Sequence, residues 1–393
     1  IRKALQVLKE GKVLGIFPEG TRSKDGMLKD PEPGIALFAI KTENLKLVPV
    51  AIKGNYKFFS KVQLIIGEPI VFESKNEKYS SEKINELSIE LFKKVASTGC
   101  VEFTGETYYH SLACLYSKEE FIHQINMHKK IIKENFNQIP KVFSNTELIY
   151  FDDLEDILEK SGFKGIITEG VDWILGWRSP NFVYQSPKGK IKILLRNYKL
   201  SDDISFRFSS HDWDEWPLTA DKFSYWIFQF NGNGEVINLF MDFETFGEHQ
   251  WAETGIFDFL ATIPFEILKQ RDLNFLTLSE AIELYPARGV YSSLYPITWA
   301  DTERDLTAWL GNEMQKDAAQ RIYALEIFMK NKSEDIKNIW RKLQTADHFY
   351  YMCTKWFADG DVHKYFNPYE SPYVAYLNYR NILEDLYLKL KIS

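Results

Sequence analysis

The sequence VINLFMDFETFGEH at residues 236–249 is the strongest indication of the fold. Its beginning is almost continuously apolar, which is typical of a strand buried on both faces of a parallel sheet. Because side chains alternate along a strand, Asp242 and Glu244 are predicted to lie on the same side of the strand end. Barrel enzymes carry their catalytic groups where strands end. We therefore predict a site at Asp242, Glu244 and His249.

A solvated acidic loop is the other interpretation of this stretch. The aromatic residues Phe243, Phe246 and Trp251 are interleaved with the carboxylates, and a purely solvated loop needs no such side chains. From residue 101 onward, apolar runs alternate with helical patterns. This alternation predicts an α/β fold.

A second candidate carboxylate is Glu147, within the apolar, strand-like run VFSNTELIY at residues 142–150. A carboxylate taken out of water needs hydrogen-bond partners or a raised pKa. Glu147 is therefore either part of a polar network or catalytic.

Three further polar clusters follow predicted strands, at residues 169–170, 201–203 and 347–348. Each one also fits a helix cap or a hydrogen-bond network in the core. Trp173 and Trp251 add aromatic surface, which suits sugar rings, although a barrel also places Trp in its core.

Composition excludes several classes of protein. The chain has 393 residues, a net charge of −7 and three cysteines. The charge disfavours nucleic acid as a partner, and no apolar run reaches the roughly 18 residues of a transmembrane segment. Three cysteines cannot form a disulfide framework, so we expect a cytoplasmic protein. The chain begins with Ile1, and we expect it to be a fragment.

Residues 1–99 differ in charge from the remainder, with a net of +5 against −12. In this part, FPEGTRS at residues 17–23 follows an apolar run and forms a predicted turn, where Arg22 can fork onto a phosphate. An ordinary turn with an ion pair between Glu19 and Arg22 is the alternative. A helix over residues 34–42, a strand over 47–52 and a helix from Ser81 to Val95 are predicted to follow.

The FPEGTRS sequence and VPVAI at residues 48–52 resemble the third and fourth motifs of the glycerophosphate and 1-acyl-glycerol-3-phosphate acyltransferases. The resemblance covers residues 1–94 and implies a partial α/β module that binds glycerol phosphate or lysophosphatidate. It places Glu19, Gly20 and Arg22 at the acceptor phosphate and implies peripheral association with a membrane. The family's catalytic His-x-x-x-x-Asp motif is missing from this sequence, so we expect no acyl transfer.

Four other segments resemble successive motifs of glycoside hydrolase family 57, closest to its α-amylase-like branch. They are ETYYHSL at residues 106–112, NTELIY at 145–150, MDFETFGEH at 241–249 and LQTADHFYY at 343–351. The resemblance covers residues 95–393. It implies a partial (β/α)7 barrel over residues 95–285 and a helical region over residues 286–393.

This resemblance also implies roles for individual residues. Glu147 corresponds to the nucleophile and Asp242 to the general acid/base of a retaining glycosidase, whose two carboxyls lie roughly 5–5.5 Å apart. No cofactor and no metal is implied. The implied sugar contacts are Glu106, His110, Glu244, His249, Asp347, His348, Trp173 and Trp251.

The leading hypothesis is thus a retaining α-glucan hydrolase or glucanotransferase acting on α-1,4-glucans or maltooligosaccharides. A phospholipid acyltransferase and a non-catalytic glucan-binding protein are the alternatives. The His-x-Pro motif that normally begins the family 57 barrel is absent, as is the acyltransferase base. We therefore expect a chimeric gene model or a deletion fusion of two partial enzymes, with weak turnover.

Overall fold

The computed structural model describes residues 81–355 and 362–390, together with short segments at 7–8, 12–13, 46–48, 50–53, 63–66 and 68–71. In the short segments, β1 (Lys46–Leu47) pairs antiparallel with β4 (Ile70–Val71), and β2 (Val50–Lys53) pairs antiparallel with β3 (Gln63–Ile66). The predicted strand over residues 47–52 is therefore divided between β1 and β2. The predicted helix over residues 34–42 and the turn with Glu19, Gly20 and Arg22 lie outside the described residues.

Helices and strands are interspersed from residue 81 to residue 228, and helices predominate thereafter. The helix predicted from Ser81 to Val95 is present as α1. In chain order the elements are α1 (Ser81–Ser97), α2 (Ala113–Tyr116), α3 (Lys118–Phe136), β5 (Val142–Ser144), α4 (Leu154–Lys160), β6 (Gly165–Glu169), α5 (Asp172–Leu175), β7 (Tyr184–Gln185), β8 (Lys192–Arg196), α6 (Tyr198–Ser205), α7 (Ala220–Phe228), α8 (Ile256–Lys269), α9 (Leu278–Leu284), α10 (Thr307–Leu310), α11 (Glu313–Ala324), α12 (Glu326–Met329), α13 (Glu334–Lys342), α14 (Ala346–Tyr350), α15 (Val362–Tyr365) and α16 (Pro372–Leu390).

A mixed four-stranded sheet with the order β5-β6-β8-β7 organises this part of the chain. The strands β5, β6 and β8 are parallel, and β7 runs antiparallel to β8. Parallel bridges from Gly105 to Phe143 and from Arg196 to Asn238 extend the sheet on both sides. All five residues of β6 are buried, as expected for a parallel strand that is covered on both faces.

Helix α9 covers the edge where the parallel strands begin. The Nζ of Lys192, the first residue of β8, donates to the carbonyl of Tyr285 at 2.7 Å, and Lys141 just before β5 pairs with Glu283. A capping box between Thr277 and Glu280 fixes the first turn of this helix. The opposite edge, where the strands end, is therefore the one left for a functional site.

The C-terminal part of the described chain is helical from α10 to α16 and packs on the sheet through a large apolar core. Trp309 and Trp340 are fully buried there, and Trp340 Nε1 donates to the carbonyl of Ile322 at 2.7 Å. A second core lies among α6, α7 and α8. Within the residues that the structure describes, no helix combines the length and the apolar character needed to cross a lipid bilayer.

The prediction of a long buried strand over residues 236–241 is wrong. This segment makes a single bridge at Asn238. The backbone N–H of Phe240 donates to Ser201 Oγ at 2.8 Å, and its carbonyl accepts from Arg196 Nε at 2.7 Å. Because side chains occupy these backbone groups, no ladder of strand hydrogen bonds forms at this point.

Two local expectations about the carboxylates are also wrong. Glu147 lies in a 3₁₀ turn over Thr146–Leu148, after β5 has ended, and not within a strand. Glu244 lies in a second 3₁₀ turn over Phe243–Thr245, so the strand alternation predicted for Asp242 and Glu244 does not apply. The described residues form an α/β arrangement with a mixed sheet, and a closed barrel is not present among them.

Candidate active site

The candidate site lies at the edge where the parallel strands end. Glu169 and Arg196 are the last residues of β6 and β8. Glu147 occupies the turn that follows β5, and Asp242 follows the segment that bridges to β8 at Asn238. Ligand sites of open α/β sheets also lie at this edge.

The carboxylate of Glu147 is held by hydrogen bonds to both of its oxygens. His110 Nε2 lies 2.9 Å from Oε1, and Trp299 Nε1 donates to Oε2 at 2.8 Å. The backbone of Glu147 and Leu148 is left-handed, with φ values of 53° and 54°. Residues other than glycine adopt this conformation at a cost in free energy, and such backbone strain is concentrated at functional sites. The side chain is 15% exposed, so it can reach a bound molecule.

His110 lies between two carboxylates. Its Nδ1 forms a short hydrogen bond with Glu106 Oε1, and its Nε2 faces Glu147. Burial alone would lower the pKa of His110, but the charges and hydrogen bonds of Glu106 and Glu147 raise it well above its ordinary value. The protonated imidazole therefore donates to both carboxylates at once.

The motif at residues 343–351 packs directly against the loop that carries His110. The Ala346 N–H donates to the His110 carbonyl at 2.8 Å, and Thr345 Oγ1 donates to the Tyr109 carbonyl at 3.0 Å. Ser111 and Thr345 form an antiparallel bridge. Hydrogen bonds thus make the motif at residues 106–112 and the motif at residues 343–351 neighbours, although they are far apart in sequence.

Tyr350 lies within electrostatic range of both candidate catalytic carboxyls. Burial raises the pKa of Tyr350, and the negative charges of Glu147, Asp301 and Asp242 raise it further. The charges of Glu147 and Asp242, which lie on different loops, therefore both favour the neutral Tyr350 hydroxyl. Asp242 itself is partly buried at the start of the 3₁₀ turn, where its carbonyl accepts from the Thr245 N–H at 3.1 Å.

Aromatic side chains from two parts of the chain form a rim around His249. The His249 ring packs against Phe366 and Tyr365, with centroid distances of 5.0 and 5.7 Å, and its burial lowers its pKa. The partly buried Glu244 closes this loop, because its carbonyl accepts from the His249 N–H at 2.9 Å. Trp251 is 55% exposed.

The other predicted contact residues lie in different surroundings. His348 packs against Tyr379 of α16, and its Nε2 lies 3.2 Å from the Lys342 carbonyl. Burial lowers the pKa of His348, and neighbouring Asp347 opposes this shift. Trp173 on α5 is 61% exposed. The hydrogen bonds of the site thus gather Glu106, His110 and Glu147 into one cluster, whereas His348 contacts Lys342 and Tyr379 instead.

Sequence reasoning missed a group of residues from the C-terminal region. Trp299 binds Glu147, and the nearby Asp301 accepts from His363 Nε2 at 2.9 Å and from Lys355 Nζ at 3.0 Å. Asp301 also has a left-handed φ of 53°. The one available signal was the run of aromatic and charged residues at 299–305. In the described part of the chain, no three His, Cys, Asp or Glu side chains form a group that could hold a metal ion.

Comparison with known protein families defines the class of this chain. The sequence model of glycosyl hydrolase family 57 matches residues 35–296, which is more than half of the chain. The chain belongs to this family and is a glycoside hydrolase.

Individual relatives are consistent with this class. A protein of Methanocaldococcus jannaschii named "Putative alpha-amylase" is 48% identical over 321 residues, which cover 79% of this chain and 68% of that protein. The branching enzyme of Thermococcus kodakaraensis shares the fold with a TM-score of 0.56 and 15% identity over 78% of this chain and 70% of its own. For the 4-alpha-glucanotransferase of Thermococcus litoralis, the TM-score is 0.53 and the identity 16%, over 68% and 47% of the two chains.

The resemblance of the N-terminal part to acyltransferases is also confirmed. An acyltransferase family model matches residues 1–53. The 1-acyl-sn-glycerol-3-phosphate acyltransferase of Borreliella burgdorferi is 39% identical over 59 residues, which cover 15% of this chain and 23% of that enzyme. The two family models overlap at residues 35–53. The domain boundary at residue 94 and the phosphate-binding role of Glu19, Gly20 and Arg22 stay predictions.

Proposed function

We propose that this chain is a retaining α-glucan hydrolase or glucanotransferase that uses Glu147 and Asp242 on α-1,4-glucans or maltooligosaccharides. The observation that carries the proposal is the Glu147 carboxylate, which His110 and Trp299 hold from two sides at 2.9 and 2.8 Å. A nucleophile held in one orientation loses less freedom when it reacts. We propose in addition that residues 95–285 form a partial (β/α)7 barrel.

The proposed reaction has two displacements. The Glu147 carboxylate attacks the anomeric carbon while Asp242 donates a proton to the departing glycosidic oxygen, which gives a covalent glycosyl-enzyme. Asp242 then takes a proton from water or from a glucan hydroxyl, which attacks the same carbon and releases Glu147. Water as the acceptor gives hydrolysis, and a glucan hydroxyl gives transfer.

The named relatives support the substrate class. The Methanocaldococcus relative carries the name of an amylase, and the two structural neighbours are a branching enzyme and a 4-alpha-glucanotransferase. The rim around His249 also suits a sugar, since Trp251 and Tyr365 are 55% and 64% exposed and aromatic faces stack on pyranose rings.

The first experiment compares Glu147→Gln and Asp242→Asn with the wild type on maltoheptaose. We expect kcat to fall about a thousandfold in each variant, because each loses a group that acts in the transition state. Glu248→Gln is the matched control, since Glu248 is an exposed carboxylate of the same loop. The anomer released first, measured by proton NMR, is expected to be α.

Two outcomes would reject the proposal. Full activity of Glu147→Gln would show that Glu147 is not the nucleophile. Binding of maltoheptaose by a wild-type chain that never cleaves or transfers it would instead identify a non-catalytic glucan-binding protein.

A further inference from the structure

We propose that Arg196 is a positioning residue that fixes the two catalytic carboxyls relative to one another. This inference rests on the proposed roles of Glu147 and Asp242. Arg196 ends β8 and is 2% exposed. Its guanidinium contacts the two polar clusters at residues 169–170 and 201–203 that the sequence analysis left open.

The first contact leads to Asp242. Arg196 Nε donates to the carbonyl of Phe240 at 2.7 Å, two residues before Asp242. Because the Phe240 N–H is already bound to Ser201 Oγ at 2.8 Å, both backbone polar groups of Phe240 are held by side chains. The direction in which the chain enters the Asp242 turn therefore depends on Arg196.

The second contact leads to Glu147. The Arg196 guanidinium lies over the indole of Trp299, with Cζ 5.5 Å from the ring centroid. The Phe240 ring meets the same indole edge-on at 5.1 Å. These two groups fix the plane of the indole, and that plane determines where Nε1 donates to Glu147.

Paired charges keep this cation in place. Arg196 Nη1 lies 3.0 Å from Glu169 Oε2, and Nη2 lies 2.5 Å from Asp202 Oδ1. A second cation, Arg304, lies 3.9 Å from Glu169 and donates to the Trp299 carbonyl. A buried ion pair adds little net stability, so we attribute its presence to the geometry it imposes on the site.

Lysine cannot reproduce this arrangement. The guanidinium is planar and presents donors in fixed directions, whereas an ammonium is a point charge on a flexible stem. Arg196→Lys therefore keeps the charge and loses the simultaneous contacts to Phe240, Glu169 and Asp202.

The test compares two substrates by kcat/KM. Maltoheptaose needs a proton on its leaving oxygen, whereas α-maltosyl fluoride has a leaving group that depends much less on the general acid. We expect kcat/KM of Arg196→Lys to fall about a hundredfold for maltoheptaose and about tenfold for the fluoride. The ratio between the substrates thus falls about tenfold. If the substitution only lowers the folded fraction of the enzyme, both activities fall by the same factor and the ratio between the substrates is unchanged.

Two further variants separate the contacts. Trp299→Phe removes the hydrogen bond to Glu147 and keeps an aromatic ring beside Arg196 and Phe240, so we expect it to slow both substrates equally. Arg380→Lys is the matched control, because Arg380 also pairs with two carboxylates and lies over the ring of Tyr376, on the C-terminal helix α16. We expect it to behave as the wild type.

An unchanged substrate ratio in Arg196→Lys overturns the proposal. If that variant does not fold, as judged by its thermal unfolding, Asp202→Asn takes its place, because this carboxylate is 17% exposed and tolerates a change more readily. We expect a threefold fall in the ratio for Asp202→Asn, and no fall overturns the proposal. If Glu147→Gln loses activity and the substrate ratio is unchanged in these variants, only the positioning role of Arg196 is rejected, and the proposed function stands. Activity that survives in Glu147→Gln rejects the proposed function itself.

Discussion

Left-handed backbone conformation is concentrated at the residues of the candidate site. Among the described residues, His110, Glu147 and Asp301 have φ values of 48°, 53° and 53°. Each of these side chains binds a group of opposite charge or a hydrogen-bond donor in the site. Such backbone conformations cost about 1–3 kcal/mol each, and the surrounding hydrogen bonds maintain them. The site is therefore organised before any substrate binds.

His110 gives the first prediction at this scale, which concerns the pH dependence of catalysis. Glu106 and Glu147 raise the pKa of His110 despite burial. Below that pKa both ring nitrogens donate, and as the pH rises through it one carboxylate loses its donor. We expect kcat to decline on the alkaline side for this reason. In His110→Gln, kcat falls about 10- to 100-fold and this alkaline limb disappears.

The measurement is kcat against pH from 5 to 10 for the wild type and the variant. His211→Gln is the control, since His211 is an exposed imidazole stacked on Trp216. An alkaline limb that persists unchanged in His110→Gln would assign that titration to another group.

At the scale of elements, the segment that carries Glu106 and His110 depends on a close approach of backbone to side chains. Gly105 exchanges backbone hydrogen bonds with Val142 and Ser144 at 2.9 and 2.8 Å. A Cβ at Gly105 would lie 2.3 Å from the ring of Phe163. Phe163 is 1% exposed, so its ring has little room to move.

We therefore expect Gly105→Ala to lower the free energy of unfolding by roughly 1–3 kcal/mol, the usual cost of overpacking a core. It also displaces the loop that carries His110, so activity falls together with stability. Urea unfolding measures the first effect, and hydrolysis of maltoheptaose measures the second. Gly289→Ala is the control, because its added Cβ would meet the Tyr184 ring at an ordinary 3.6 Å. Equal stability of the two variants would contradict this account.

Sequence patterns predicted some elements and failed on others for a physical reason. Apolar spacing was sufficient for α1, since a helix satisfies its own backbone hydrogen bonds. A strand depends on partners elsewhere in the chain. At Phe240 those partners are the side chains of Ser201 and Arg196, so an apolar run alone could not predict the irregular segment there. Likewise, Asn145 Nδ2 donates to the Ile149 carbonyl at 2.9 Å and closes the turn in which Glu147 lies.

At the scale of the whole molecule, the motifs named candidate residues for the site but not the contacts that hold them. The structure brings Glu106, His110 and Glu147 together, and their roles in catalysis and sugar binding stay predictions. Trp299 lies 152 residues beyond Glu147, and no local pattern connects the two. Such contacts are determined by how the helical C-terminal region packs on the sheet, which spacing and composition do not report.

Asp301 binds two basic residues from a later part of the chain. It pairs with Lys355 at 3.0 Å and with His363 at 2.9 Å, and its own pKa is lowered to about 2, against burial, by these two partners. His363 is 1% exposed, and its ring lies 4.9 Å from that of Tyr350. This charge cluster therefore supports the side of the site that Tyr350 forms.

The last prediction follows from His363. Burial alone would lower its pKa, but Asp301 and Cys353 raise it to about 9. A folded-state pKa above the ordinary 6.5 adds stability that is complete below pH 6.5 and is lost as the pH rises through about 9.

We expect His363→Asn to be less stable than the wild type by about 3 kcal/mol at pH 6, with the difference shrinking to about zero above pH 9.5. Urea unfolding at pH 6, 8 and 9.5 measures this difference, and His211→Asn, which removes an exposed imidazole stacked on Trp216, is the control. A deficit of His363→Asn that is constant from pH 6 to 9.5 would show that the imidazole packs there as a neutral group, and that Asp301 is held by Lys355 alone.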